Sequence, residues 1–314
     1  MICALKRPLI YYLLIFLCFI PTPYLAPAGI TAFIILMIMY MVMSESWNLL
    51  GGYLGDLSFG HAVFFGIGAY TVALLEHYGI SNIQPFNILL AGISSMGLAA
   101  LIGYPFLRLK GFYFAIGTLG LSEIFRLLFR NSDITLGPKG IMVPVPLPYT
   151  IYPYFYGILG IAIGSIFIIY LIENSKLGLA FLSIKDDIDA ARMVGVRTTA
   201  YRILGFSLSA FFVGIVGGFF AYFNSYVHPD GVFSMLISFE LILMVYFGGV
   251  GTFLGPLLGA AVVLFAEELG RVLIQQGYLL LLSIMLILTF VFMPSGVIGI
   301  FTRRESLINP FKRS

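Results

Sequence analysis

The residues of this chain best suited to chemistry are the charged side chains of segment 173–202, which separates two long apolar runs. Five basic residues and three aspartates surround the string Asp189-Ala190-Ala191-Arg192-Met193-Val194-Gly195: Lys176, Lys185, Arg192, Arg197 and Arg202 with Asp186, Asp187 and Asp189. Such side chains offer ion pairs and hydrogen bonds to another surface. We expect a docking surface here, with these residues in the contact: Lys185, Asp186, Asp187, Asp189, Ala190, Ala191 and Gly195.

A single helix over Phe181 to Val194 would carry one apolar stripe at spacings of three and four residues: Phe181, Ile184, Ile188 and Ala191. On that helix Lys185 and Asp189 form an i,i+4 pair, and Gly195 is placed to end it. The stripe has two interpretations. Either the helix docks a partner, or it lies on the bilayer or against the protein's own spans.

Three carboxylates lie inside apolar runs, where a charge is costly and marks a functional candidate: Glu45, Glu123 and Glu240. Glu123 has Arg126 one helical turn away, so the two side chains can neutralise each other. Glu240 has no basic neighbour in sequence. It can hold a cationic group of a solute, or simply face a neighbouring helix.

Helix-breaking and polar residues also crowd together in segment 44–60, between two apolar runs. A discontinuous helix frees backbone groups, and these can bind a small polar solute where they line a cavity. This pattern makes Trp47, Asn48 and Asp56, with Glu240, candidates for a solute path. A plain cytoplasmic turn is the alternative interpretation.

The sequence offers little for covalent chemistry. It contains no Gly-x-x-x-x-Gly-Lys-Ser/Thr, His-Glu-x-x-His or Gly-x-Ser-x-Gly motif. Its three histidines are scattered, and its two cysteines, Cys3 and Cys18, suit neither a disulfide framework nor a metal cluster. We therefore predict no enzyme activity, no bound metal and no cofactor held by this chain.

The composition explains what must position these residues. Hydrophobic residues make up 60% of the chain and charged ones 10%, against about 25% charged in soluble proteins. A span needs roughly 20 apolar residues, so 314 residues predict one all-α, polytopic membrane domain, 1–314, with about ten helices, some of them broken. The candidate spans are 9–25, 29–50, 57–76, 86–107, 112–130, 153–172, 203–224, 235–250, 254–271 and 276–294.

Charge sets the predicted orientation. With both termini in the cytoplasm, most of the 17 basic residues, including those of segment 173–202, lie on the cytoplasmic side of the inner (plasma) membrane. The proline-rich segment 131–152 is then an outer loop. The net charge of +3 gives no indication of nucleic acid binding. A cleavable signal peptide is a competing interpretation of the first 28 residues, with Lys6-Arg7 before an apolar run.

Glycines recur at four-residue spacing, which lets helix backbones approach closely. The pairs are Gly51/Gly55, Gly160/Gly164 and Gly214/Gly218, with the triplet Gly251/Gly255/Gly259. Ordinary helix packing is the simplest expectation for each. The triplet follows Gly248-Gly249, and Pro256 comes directly after Gly255. A break between two half-helices is therefore an alternative to simple packing in this region.

Several blocks of the chain resemble the permease subunits of the high-affinity branched-chain amino acid system of ATP-binding-cassette importers. The string Asp189-Ala190-Ala191, followed by Gly195, is similar to the Glu-Ala-Ala docking loop of importer permeases, with Asp in place of Glu. Three further blocks resemble the branched-chain permeases specifically: Ser46 to Ala62, Gly111 to Leu119, and Phe247 to Thr252 with Gly255-Pro256.

The resemblance implies a transport subunit that works with other chains in membrane lipid. The implied partners are a second related permease, two cytoplasmic ATP-binding subunits that use the ATP, and an outer binding protein that delivers leucine, isoleucine or valine. Related systems carry urea or short amides, which is one alternative. An ion-coupled secondary transporter is the other, although the docking loop would have no role in it.

Overall fold

The computed structural model describes residues 16–81, 83–109, 111–144 and 150–274, with the short stretches 280, 283–285, 287–289 and 296–297. Within this part the chain is almost entirely helical. The α-helices are α1 Thr22–Leu25, α2 Ala28–Asn48, α3 His61–His77, α4 Gln84–Phe106, α5 Phe112–Arg130, α6 Tyr152–Glu173, α7 Lys176–Asp186, α8 Ile188–Met193, α9 Thr198–Asn224, α10 Pro229–Val232, α11 Met235–Gly248 and α12 Gly255–Ile274.

The remaining elements are short. A π-helix, Leu49–Leu54, continues α2, and two 3-10 turns cover Asp133–Thr135 and Gly137–Lys139. The two-residue strands β1, Ile141–Met142, and β2, Tyr226–Val227, pair antiparallel with Ile141 opposite Val227. These strands mark one end of the helix bundle, and α7 and α8 lie at the other.

The all-α membrane fold is confirmed, but the count of about ten spans is not. Six helical stretches in the described residues are long and apolar enough to cross a bilayer: Ala28–Leu54, Gln84–Phe106, Phe112–Arg130, Tyr152–Glu173, Thr198–Asn224 and Pro229–Gly248. Helix α3, with 17 residues, corresponds to the predicted span 57–76. Helix α12 corresponds to the predicted span 254–271. Residues 9–15 of the predicted span 9–25, most of the predicted span 276–294 and both termini lie outside the described residues.

Helix α9 is the central element of the bundle, packed against α3 and α4. Its glycines make this contact close. A Cβ at Gly217 would stand 2.1 Å from the carbonyl oxygen of Phe65 in α3, and one at Gly214 would stand 2.3 Å from Ser95 Oγ in α4. The predicted packing role of Gly214/Gly218 is therefore confirmed.

Helices α11 and α12 form a second close pair. A Cβ at Gly259 would stand 1.8 Å from the carbonyl oxygen of Met244, and one at Gly248 would stand 1.8 Å from that of Gly255. Gly160 and Gly164 differ, because no heavy atom of the described chain lies within 4 Å of the Cβ position at either. That predicted pair does not pack against another helix in the described part of the chain.

Candidate functional site

The charged segment forms two helices, so the prediction of one helix over 181–194 is wrong. Asp187 separates α7 from α8 in an extended conformation, with φ −158° and ψ 114°. Its Oδ1 accepts hydrogen bonds from the backbone N–H groups of Asp189, at 2.8 Å, and Ala190, at 3.0 Å. Asp187 is thus the N-cap of α8. These backbone donors also hold the pKa of its carboxyl below its usual range.

The other end of α8 is closed as the sequence predicts. Gly195 adopts the left-handed conformation, with φ +91°. Its N–H bonds to the carbonyl of Arg192 at 3.1 Å, and the N–H of Val196 bonds to that of Ala191 at 3.0 Å. This paired arrangement is a Schellman motif, which satisfies the last carbonyls of a helix. A helix of six residues is therefore fixed at both ends.

The predicted apolar stripe packs on the protein itself. Phe181, Ile184 and Ala191 are buried, and Ile188 is half-buried. The Phe181 ring lies against Gly205 of α9. Ala190 is exposed, whereas Ala191 is only 3% exposed. Of the two alanines predicted to contact a partner, Ala190 is the one available at the surface.

Two apolar residues at the tip of α8 were not among the predicted site residues. Met193 is 90% exposed and Val194 is 79% exposed. The side chains of Asp189 and Arg192 beside them are 78% and 61% exposed and pair at 3.3 Å. An apolar pair just before a helix-ending glycine was the available sequence signal. The tip of α8 therefore presents an apolar surface with a charged border.

Lys185 does not pair with Asp189, because the break at Asp187 removes the i,i+4 geometry. Its Nζ instead donates to the carbonyl oxygen of Gly52 in the π-helix, at 2.6 Å. Asp186 remains exposed on α7. A cavity of about 340 Å³ lies between α7, α8 and segment 54–57. Segment 173–202 is thus attached to the π-helix Leu49–Leu54 through Lys185.

The two predicted breaks meet each other. Asn48 Oδ1 accepts from the N–H of Gly251 at 2.8 Å, and its Nδ2 donates to the carbonyl of Thr252 at 3.1 Å. We call segments 48–56 and 248–255 together the junction. Trp47 is fully buried next to segment 48–56. Its indole N–H donates to the carbonyl of Ser58 at 2.8 Å.

Asp56 closes the junction at the α8 end of the bundle. Its two carboxylate oxygens accept from Arg202, with Oδ1 2.6 Å from Nη2 and Oδ2 2.8 Å from Nε. Arg202 also donates to the carbonyl of Leu107 at 2.8 Å. The two side chains are 12% and 10% exposed. Arg202, expected as a charge of the docking segment, thus joins α9 to the junction.

Glu240 lies apart from Trp47, Asn48 and Asp56, so the four predicted path residues do not form one site. The hydroxyl of Tyr40 in α2 donates to Glu240 Oε2 at 2.6 Å. The Tyr40 ring lines a crevice of about 260 Å³ near the strand end of the bundle. Its inner wall is apolar and buried, with Met39, Met43 and Val232. Its mouth is polar, with Asn224 and His228.

Of the other two predicted intramembrane carboxylates, Glu45 in α2 is fully buried, and Glu123 is paired with a neighbour on α5. Glu123 accepts from Arg126, with Oε2 2.8 Å from Nε, as predicted. Arg126 also donates to Asp230 at the start of α10. The described residues contain no group of three His, Cys, Asp or Glu side chains that could hold a metal ion.

Comparison with known families decides the identity. Residues 29–291 match the family model described as the permease component of the branched-chain amino acid transport system. This chain belongs to that permease family. It is 30% identical to the high-affinity branched-chain amino acid transport system permease protein LivM of Salmonella typhimurium, over 88% of this chain and 71% of the relative.

Other relatives place the permease within a wider group. The LivM protein of Escherichia coli K12 is 29% identical over the same shares of both chains. The autoinducer 2 import system permease protein LsrC of Yersinia pseudotuberculosis is 27% identical over 65% of this chain and 59% of the relative. No solved structure matched the chain. The permease is thus an integral membrane transport component of the inner membrane.

Proposed function

We propose that this chain is the membrane-spanning permease of an ATP-driven importer for leucine, isoleucine and valine. The observation that carries the proposal is α8, a short helix capped at both ends that presents Met193 and Val194 to solvent beside Asp189. Exposed apolar side chains bordered by charge are typical of a surface that binds another protein. The match to branched-chain permeases supports the choice of solute.

In this proposal α7 and α8 dock on a cytoplasmic ATPase. The surface comprises four exposed members of the predicted set, Asp186, Asp187, Asp189 and Ala190, with Met193 and Val194 added. Lys185 and Gly195 are exposed as well, but Lys185 is attached to Gly52 and Gly195 ends the helix, while Ala191 is buried and packs beneath the surface. Hydrolysis of ATP takes place in two such partner subunits, and this chain binds no cofactor.

The remaining partners follow from the same proposal. A second related permease completes the path, and an outer binding protein delivers the solute at the strand end, near the loop 131–152. The α8 end then faces the cytoplasm, with both termini on that side, as the charge distribution predicts.

The crevice at the strand end is the proposed entry for the solute. Its apolar wall of Met39, Met43 and Val232 suits an aliphatic side chain, while the Tyr40 hydroxyl and the polar mouth suit its charged ammonium and carboxylate. Glu240 would provide the negative charge behind Tyr40. Trp47, Asn48 and Asp56 would act further along the path, at the junction.

Substitution of Ala190 tests the docking surface. An arginine there places a bulky charge on an exposed face, so Ala190→Arg should abolish both ATPase co-purification and ATP-dependent leucine uptake. Ala190→Ser keeps the residue small and should behave like the wild type. Ala191→Arg is the weaker test, because Ala191 is buried and its replacement would also disturb packing on α9.

The measurements are the amount of ATPase recovered per permease and the uptake of labelled leucine into proteoliposomes. The membrane level of each variant is the control for folding. Wild-type recovery and uptake with Ala190→Arg would rule out docking through this face of α8.

A further inference from the structure

The contact between Lys185 and the junction suggests how a movement at the docking helices reaches the solute path. Lys185 lies in the last turn of α7, one helix before the proposed docking tip, and extends its side chain toward the π-helix. Its Nζ donates to the Gly52 carbonyl oxygen at 2.6 Å. A hydrogen bond of this length from an ammonium group is among the stronger ones in proteins.

The Gly52 carbonyl is available because the helix changes its pitch. In a regular α-helix the N–H of Asp56 would bond to the carbonyl of Gly52. Here the N–H of Asp56 bonds to the carbonyl of Leu50 at 3.3 Å, and so does that of Gly55, the C-cap of the π-helix. The Lys185 ammonium thus takes the place of a backbone donor.

Glycines on both sides of the junction make room for this side chain. A Cβ at Gly55 would stand 3.1 Å from Lys185 Cγ, and one at Gly251 would stand 3.4 Å from its Nζ. Both glycines have positive φ, +87° and +73°. Gly52 itself lies so close to Gly251 that a Cβ there would stand 2.7 Å from the Gly251 nitrogen. Lys185 therefore meets the point where the two broken segments touch.

Two further side-chain contacts at the junction are made by residues outside α7 and α8. Asn48 joins its two halves through Gly251 and Thr252, and Arg202 of α9 binds Asp56. Lys185 provides a polar contact between α7 and the junction. A displacement of α7 by a partner would pull on Gly52 while Arg202 holds Asp56.

We infer that Lys185 is a positioning residue that couples the docked ATPase to the broken helices of the solute path. The inference rests on the proposed function. It predicts that losing the Lys185 ammonium separates ATP hydrolysis from transport without preventing docking, because this ammonium is bonded to the junction, although the residue as a whole is exposed.

The test uses the complete importer, purified through a tag on this permease and reconstituted in proteoliposomes with its outer binding protein. The variants are Lys185→Met, which keeps the aliphatic stem and removes the donor, and Lys185→Arg, which retains a cationic donor. Lys176→Met is the matched control, since Lys176 is an exposed lysine in the first turn of the same helix. Labelled leucine uptake and ATP hydrolysis are measured on the same vesicles.

We expect Lys185→Met to retain the ATPase subunits and to hydrolyse ATP, but to lower the leucine transported per ATP about tenfold. Lys185→Arg should recover part of that loss, and Lys176→Met should match the wild type. A merely structural role would lower yield, hydrolysis and uptake together and leave the ratio unchanged.

Two results would overturn the inference. One is a wild-type ratio with Lys185→Met, and the other is loss of the ATPase from that variant, which would make Lys185 a docking residue. Either result leaves the proposed function intact if the wild-type vesicles take up leucine with ATP. Wild-type vesicles that fail to do so would count against the proposed function itself.

Discussion

Tyr40 and Glu240 join α2 to α11 beside the apolar crevice, at 2.6 Å between the hydroxyl and Oε2. Near them, Glu267 in α12 accepts from Arg271 at 2.5 Å. Glu240 thus accepts from a neutral hydroxyl. In the proposed function, a solute ammonium would bind at this carboxylate.

Replacing Glu240 tests this role at the scale of one residue. Glu240→Gln removes the charge but keeps the shape, so we expect the half-saturating leucine concentration for uptake to rise about tenfold, as hydrogen bonds to charged groups suggest. Glu268→Gln, at an exposed position on α12, is the matched control. The measurement is the rate of leucine uptake as a function of leucine concentration. A half-saturating concentration equal to that of the wild type in both variants would exclude Glu240 from the solute path.

Single-residue patterns predicted some local features of segment 173–202, although not its division into two helices. The positive φ of Gly195 and the burial of the stripe at 181, 184 and 191 follow from helix periodicity and glycine chemistry. The partners of Lys185, Asn48 and Asp56 could not be predicted in this way. Each contacts a residue more than a hundred positions away in sequence, and one sequence does not specify such pairings.

At the scale of elements, the length of the apolar runs predicted where the helices lie. Polar residues then determine where individual helices are interrupted. The predicted span 112–130 and helix α5 coincide, and most other described spans agree within a few residues. The break between α7 and α8 was missed, although aspartate is a favoured N-cap and Asp187 carried that signal. The break predicted in segment 44–60 takes the form of a π-helix. That form could not be predicted locally, because the partner of its Gly52 carbonyl, Lys185, belongs to another element.

The close contact of α11 and α12 gives a prediction at this scale. Gly259→Ala would place a Cβ 1.8 Å from the Met244 carbonyl oxygen, so the helices must separate. Overpacking of this kind costs about 1–3 kcal/mol. We expect a lower thermal midpoint for the purified variant in detergent.

Gly160→Ala is the matched control for that helix pair. No described heavy atom lies within 4 Å of a Cβ there, and alanine favours a helix over glycine by about 0.5–1 kcal/mol. Its midpoint should equal or exceed that of the wild type. Equal midpoints for the two alanine variants would contradict the close packing of α11 on α12.

At the scale of the whole molecule, the two ends of the bundle have different surfaces. The α8 end carries the exposed docking tip and the junction, and the strand end carries the crevice with its polar mouth. A path for a solute would run from the strand end to the α8 end. Transport would therefore depend on both ends of the bundle. In the proposed function, this chain supplies a docking surface and an entry, while ATP hydrolysis and solute capture are left to the proposed partners.

The most direct test of this account is the composition of the native complex. The tagged protein would be extracted gently from its own membranes, and the co-purifying chains identified by mass spectrometry, for the wild type and for Ala190→Arg in parallel. We expect an ATPase and a second, related permease with the wild type, and loss of the ATPase with the variant. Recovery of this chain alone, under extraction that keeps a known importer of this type intact, would contradict the account.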